Sequence, residues 1–317
     1  MKKIITVAFI AISTLSFGQV YNFKPLWKKG DVKKITIEKV ERKYEDGKLI
    51  YDTISYNEAR IEVLKDNKVS YTLEVLMENQ ALSSAIEFYD KLGEELKDYK
   101  DLKLIYSVNK KTAESELLNW EEAQKFMNES FGQITTVLEE KAPDMAPFFG
   151  LAFMPLQEMF KSKENIEEYM KTSIGYILTP FNQNYKVGET ITNTESGENP
   201  FNPMQEISAT TLLTLKSVNE KYKSCIINEE VQLDLSEFKE MLKGIAQQMS
   251  KSFGANDSVT AVAIKDFEMD IENIKVITFN YETSWVEKIV NTGIIITTDP
   301  KKGVKTKKEI IEKSIIK

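Results

Sequence analysis

From Asp31 to Met77 the apolar positions come in extended runs without helical spacing, cut twice by turn-forming dipeptides. This pattern predicts three long antiparallel strands. Asp46-Gly47 is the stronger cut, because a type I′ hairpin needs positive φ at both central residues and Asp-Gly adopts it at least cost; Asp66-Asn67 is the weaker one. In the third strand Tyr71, Leu73, Val75 and Met77 share one face and alternate with Ser70, Thr72 and Glu74, while Leu76 falls on the outer face. The period then changes. Ile86, Leu92 and Leu96 have helical spacing within Ser83 to Tyr99, and Ser83 or Ser84 can cap its start. Leu102 to Tyr106 and Thr112 to Leu117 read as a hairpin around Asn109-Lys110. The capping-box pattern Asn119-Trp120-Glu121-Glu122 then predicts a helix from Trp120 to about Glu140.

Met145, Phe148, Phe149, Ala152, Phe153, Leu156, Met159 and Phe160 form one apolar helical stripe, and Leu151 and Met154 add apolar character to the opposite side. An element apolar nearly all round is sandwiched within the protein or faces a ligand, and Pro155 kinks or divides it. A further helix is expected from Asn165 to about Leu178, before the Pro180 stop. Gly188 to Pro203 reads as an exposed loop or edge hairpin and is the best domain boundary. Strands follow at Glu206 to Val218 and Tyr222 to Leu233, then a helix opened by Asp234-Leu235-Ser236-Glu237, and then strands at Ser258 to Ile271, Ile274 to Thr283, Trp285 to Thr298 and Thr306 to Ile316. The organisation is thus a leader of residues 1–18 and two β-rich parts, 19–182 and 183–317, which are either separate domains or parts of a single one. Lys29-Gly30-Asp31 and Val187-Gly188-Glu189 open the two parts alike, which suggests an internal duplication. The expected fold is α+β: long antiparallel strands in one or two curved sheets or a half-barrel, with helices packed across one face.

The leader has the make-up of a secretory signal. Lys2 and Lys3 precede an apolar run from Ile4 to Leu15, and Ser16 and Gly18 place small residues at −3 and −1 of a cleavage site. The run is too short to span a bilayer, and no other segment approaches the required length. The 49 acidic and 42 basic side chains leave a formal charge of −7, and loss of the leader's two lysines makes the chain more acidic still. Only Arg42 and Arg60 are arginine and no lysine run tracks a phosphate backbone, so a nucleic-acid partner is excluded. Cys225 stands alone in an apolar run and is expected to be an inert core residue.

The chain has no histidine. That removes Ser-His-Asp and Cys-His nucleophiles, HExxH zinc sites and imidazole acid-base chemistry. Asp266, Glu268, Asp270 and Glu272 alternate as one acidic strand face, but an EF-hand counted from Asp266 would place Ile271 and Ile277 where Gly and Glu are needed. Three S-x-x-K matches, at Ser107/Lys110, Ser236/Lys239 and Ser314/Lys317, arise by chance in so serine- and lysine-rich a chain, and no S-D-N or K-T-G accompanies them. Adjacent acids such as Glu121/Glu122, Glu139/Glu140 and Glu229/Glu230 do not face each other as a glycosidase pair must. Trp27, Trp120 and Trp285 are expected to anchor the core. No catalytic residue, metal or cofactor is therefore expected. The candidate site is the apolar lining offered by Met145, Phe148, Phe149, Phe153, Leu156 and Phe160.

Ser16-Phe17-Gly18-Gln19, Trp27-Lys28-Lys29-Gly30-Asp31 and Leu117 to Ala123 together resemble an uncharacterised family of exported Bacteroidota proteins. The resemblance implies a periplasmic or secreted β-rich protein and assigns no catalytic residue. The sorting pattern of type IX substrates is missing from the C-terminal residues, which favours the periplasm. The expected architecture is also similar to that of periplasmic lipoprotein and lipid carriers. Function is accordingly expected to be non-enzymatic binding of an apolar or lipid-like ligand, with a structural or protein-interaction role in the envelope as the alternative. The mature protein is predicted to begin at Gln19. N-terminal sequencing of protein recovered from the envelope fraction checks this, and intact Met1 there would refute it.

Overall fold

A computed structural model describes residues 18–78, 99–141, 143, 157, 160–199, 202–233, 268–298 and 303–317. The first hairpin forms where the turn chemistry places it. Strand β1 (Val32–Glu45) and β2 (Lys48–Asp66) meet at Asp46 and Gly47, whose φ angles of 48° and 80° are the left-handed values this turn requires. Strand β3 (Ser70–Glu78) follows, and β4 (Asp101–Asn109) pairs with the three-residue β5 (Ser115–Leu117). The helices α1 (Trp120–Lys141) and α2 (Lys163–Leu178) come next. The Ser162 hydroxyl accepts from the Asn165 amide to cap α2, and the last turn ends at Thr179, before Pro180. Strands β6 (Thr190–Asn199), β7 (Asn202–Asn219), β8 (Ser224–Leu233), β9 (Glu268–Asn280), β10 (Trp285–Thr298) and β11 (Lys305–Ile316) complete the described chain. The predicted helices over Ser83 to Tyr99 and after Asp234 fall almost wholly on residues outside those described.

All eleven strands belong to one antiparallel sheet, in the order β5-β4-β3-β2-β1-β11-β10-β9-β8-β7-β6. Sequence neighbours pair except β5 with β6, and β1 pairs with β11 from Ile35↔Ile316 to Glu45↔Thr306, which joins the first strand to the last. Strands β5 and β6 close the two ends of this order and point the same way. A tight hairpin cannot connect parallel strands, and the chain between them runs through α1 and α2.

This arrangement corrects the α+β expectation, with its helices laid across one face of one or two sheets. The fold is mainly β, and its single sheet rolls up around α2. Tyr106 on β4 donates its hydroxyl to the Met170 carbonyl of α2 (2.7 Å), and Thr179 just past α2 donates to Glu229 on β8 (3.0 Å). Strands β4 and β8 are seven steps apart, about 33 Å on a flat sheet. The helix spans the distance between Met170 and Thr179 in about 14 Å. Only a strongly rolled sheet brings both strands within reach of it.

Two local expectations also change. Asn119 does not cap α1 with its side chain; its Oδ1 accepts from the Ile105 amide (2.7 Å) and its Nδ2 donates to the Lys103 carbonyl (3.1 Å), completing the edge of β4 where the short β5 stops. The break expected between Ile271 and Ile274 is absent. Glu272 and Asn273 continue β9, opposite Ile294 and Gly293 of β10, because their polar side chains suit the accessible outer half of a strand. The two glycine openings behave alike. Gly30 (φ 88°) donates to the Val63 carbonyl and Gly188 (φ 82°) to that of Leu215, each beside a register shift in the neighbouring strand. Asn109 and Asn280 also match, each accepting on Oδ1 from the second and third amides after it and each preceding a residue of φ 58°, Ala113 and Ser284.

One end of the roll is plugged by residues 21–27. Tyr21 bridges Tyr185, the Phe23 ring meets Phe279 edge-on at 5.2 Å, and Trp27 lies against Tyr71, Phe181 and Trp285 at 5.0–5.6 Å. The Trp27 indole donates to the Ser284 carbonyl (2.7 Å), the Ser284 hydroxyl donates to the Lys24 carbonyl, and the Tyr71 hydroxyl donates to the Pro25 carbonyl. Trp27 is 1% exposed and ties β3 to β10, four strands away around the roll. Trp27→Ala should therefore lower the unfolding free energy by about 3–5 kcal/mol in urea titration. Trp27→Phe, which loses only the indole donor and part of the ring, should cost about 1–3 kcal/mol. A loss below about 1 kcal/mol for the alanine variant would show that the plug does not hold the roll closed.

Candidate functional site

Rolling an eleven-stranded sheet around one helix leaves more interior than the described side chains fill. A cavity of about 640 Å³ lies between α2 and the inner faces of β1, β2, β3, β8, β9, β10 and β11. Its apolar wall comes from alternate strand positions: Ile35 and Ile37 on β1, Ala59 on β2, Val75 and Met77 on β3, and Ile289 on β10. Each is in phase with fully buried residues further toward the plug, such as Ile61, Leu73 and Val63, so the inward register of the core continues into the cavity. Gly175 of α2 also lines the space, and a Cβ placed there would meet nothing within 4 Å.

The opposite wall is polar. Glu229 of β8, Lys275 of β9, Asn291 of β10 and Glu312 of β11 are directly paired across consecutive strands, so their side chains share the inner face in one row. Buried Ile227, Ile277, Ile289 and Ser314 lie two positions away on the same strands and confirm that phase. Glu229 is 8% exposed, forms an ion pair with Lys275 and also accepts from the Thr179 hydroxyl. Asn291 Oδ1 is buried and has no hydrogen-bond partner among the described residues. Tyr176 of α2 lines the same space, and burial, followed by the nearby Tyr106 and Glu312, pushes its hydroxyl well above the usual phenol range.

Of the six expected lining residues, Met145, Phe148, Phe149, Phe153 and Leu156 lie outside the described residues. Phe160 is fully buried and packs its ring between Phe131 of α1 and Tyr169 of α2, at 6.0 and 5.5 Å. The sequence pattern puts Val75 and Met77 on one strand face but marks none of these wall residues as a site, and Glu229 stands out in it only as half of an adjacent acidic pair. The available signal was phase: Cys225, Ile227, Glu229 and Val231 alternate on one face, as do Lys275, Ile277 and Phe279. A charge in step with apolar neighbours is a charge aimed inward.

The other candidates separate. Asp270 and Glu272 are exposed on β9, Asp266 lies outside the described residues, and no group of three acids or cysteines among the described residues is placed to hold a metal. Lys110 pairs with Asp66 and lies over the Tyr71 ring, away from Ser107, while Ser314 is buried in the cavity wall and Lys317 is exposed. Ser236 and Lys239 are outside the described residues. Trp27 and Trp285 stack in the core. Cys225 is 2% exposed, and burial pushes its thiol up to about 12.

No family model matches the chain, and no curated protein does. Among solved structures, two of Ail, the attachment invasion locus protein of Yersinia pestis, align over 92% of this chain and all of their own length. One of them is in complex with the heparin analogue sucrose octasulfate. Identities are 7% and 8% and TM-scores 0.16 and 0.15, values at which the two folds do not superpose. Among the described residues no helix is long and apolar enough to cross a membrane, a statement that does not extend to strands.

Tyr106 and Cys225 give the interior a pH signature. Burial raises both to about 12, so the folded protein keeps protons that the unfolded chain releases at the ordinary values of its tyrosine and cysteine. Their contribution is complete below about pH 8 and is lost as pH rises toward 12. Urea midpoints should fall steadily between about pH 9 and 11, and Tyr106→Phe should flatten that fall. A midpoint independent of pH over this range would contradict the burial of both groups.

Proposed function

We propose that this is an exported, non-enzymatic binding protein that holds an apolar or lipid-like molecule between α2 and the rolled sheet. The observation that carries this reading is the cavity itself. Its volume of about 640 Å³ falls within the range of about 300–1,000 Å³ typical of small-molecule sites, and it combines an aliphatic wall with a few convergent polar groups. Export, as the leader suggests, with the periplasm favoured over the outside of the cell, would put the protein where an apolar molecule crossing water needs cover. The absence of histidine supports binding without turnover.

A second reading, a protein-interaction module of the envelope, is favoured by one feature. Leu49, Ile50, Ile54 and Tyr56 on the β1–β2 hairpin are 48–65% exposed and provide an apolar surface suited to another envelope protein.

Gly175→Leu discriminates between the two. The substitution projects into open space and removes a helix-interior glycine, so stability should be retained or rise by up to about 1 kcal/mol. If the cavity is the binding site, wild type should bind the neutral probe N-phenyl-1-naphthylamine and Gly175→Leu should bind it at least about tenfold more weakly, about 1.4 kcal/mol. Native mass spectrometry of wild type purified without detergent should also show a co-purifying apolar mass. A folded wild type that binds no probe and carries no such mass would end the carrier reading and leave the interaction module.

A further inference from the structure

We infer that the molecule held in this cavity carries a cationic, amine-type head, and that Glu312 and Asn291 receive it. The inference rests on the carrier reading and adds the ligand's chemical class. Its basis is the charge balance of the polar wall. Among the described residues that line the cavity, Glu58 is exposed on the opposite strand phase and Glu168 pairs with Lys171 at an exposed rim, so the inner row itself holds Glu229, Lys275 and Glu312 and is left with one negative charge in excess. The two basic residues of the lining are both engaged, Lys171 with Glu168 at 2.6 Å and Lys275 with Glu229. An anionic head, such as a carboxylate or phosphate, would find no free cation among the described residues of the wall and would face the unpaired Glu312 in a partly dehydrated space.

The row across β8 to β11 shows where a cation fits. Its first two members satisfy each other. Its last two do not: Asn291 Oδ1 is a buried acceptor without a donor, and Glu312 has no ion pair among the described residues. Lys39 stands opposite Glu312 on β1, but its ammonium is turned toward Glu41, at 3.5 Å. The two groups are cross-strand neighbours on one face, so a carboxylate and an amide oxygen converge on the same part of the cavity. An ammonium supplies the donors both lack, with a charge-assisted bond to Glu312. Tyr176 lines the same wall from α2 and offers an aromatic face or a hydroxyl to the same head. The alkyl part of such a ligand would then run along Ile35, Ile37, Val75 and Met77.

The test is a matched series with one chain and three heads: dodecylamine, dodecanol and dodecanoate, each titrated at pH 7 below its micelle-forming concentration. Binding is followed by calorimetry on the mature protein. Dodecylamine should bind at least about tenfold more tightly than dodecanoate, with dodecanol between them. Glu312→Gln, checked for a wild-type-like cooperative thermal transition, should abolish most of the amine-over-acid preference. Asn291→Leu, which removes the orphan acceptor without changing charge, should weaken dodecylamine severalfold. If dodecanol binds but dodecanoate equals or exceeds dodecylamine, the cationic-head assignment is wrong and the carrier reading stands. If Glu312→Gln keeps the full preference, the head is not received at Glu312. If none of the three binds folded protein, the carrier reading fails and this inference with it.

Discussion

Pairing of β1 with β11 is the constraint on which the rest of the structure depends. Hairpin chemistry alone would build two separate meanders, β1 to β5 and β6 to β11, each with two raw edges. The ladder from Ile35↔Ile316 to Glu45↔Thr306 removes one edge from each and makes a single sheet of eleven strands. A sheet that wide accumulates twist and must curl, split or flatten. Here it curls, and the connection through α1 and α2 places α2 inside the curl. The Trp27 plug then fixes how tightly the roll closes at one end.

The interior is graded along the strands. Around the plug it is aromatic and fully packed, with Phe23, Trp27, Phe181, Phe279 and Trp285 in ring contact. Further along β1 it becomes aliphatic at Ile35 and Ile37, and then polar at Lys39 and Glu41, which occupy the same inward phase. The Glu229–Lys275 pair marks that boundary. Enclosing charge costs several kcal/mol per ion unless it is paired and hydrogen-bonded, so a fold selected for stability alone would place leucine and methionine in these positions. A polar row beside an aliphatic cavity is the arrangement that the proposed amphiphile site would use.

The local elements were legible because their signals are local. Asp46-Gly47 set the first hairpin, Trp285 to Thr298 matches β10, and the start of α2 lies within two residues of Asn165. What escaped was long-range. Ile35 and Ile316 are nearly the whole chain apart, and nothing in either segment names the other as its partner. Without that pairing the parts read as an α+β layering of sheets and helices, whereas the molecule is one sheet that encloses a helix. Asn119 failed for a related reason: its side chain suited a capping box, but the unpaired edge of β4, known only from the tertiary structure, claimed it. The cavity was legible in part, since inward-phase Glu229 and Lys275 interrupt otherwise apolar faces. Recognising them required strand phase to be read as direction.

The rolled sheet leaves a hollow of about 640 Å³ beneath α2. The most direct measurement is a crystal structure of the mature protein soaked with 1-bromododecane, with data collected at the bromine edge. An anomalous bromine peak and continuous chain density are expected between α2 and the aliphatic wall of Ile35, Ile37 and Met77. The same sheet with that space filled by the protein's own side chains, and no bromine peak within it, would show that no such hollow exists.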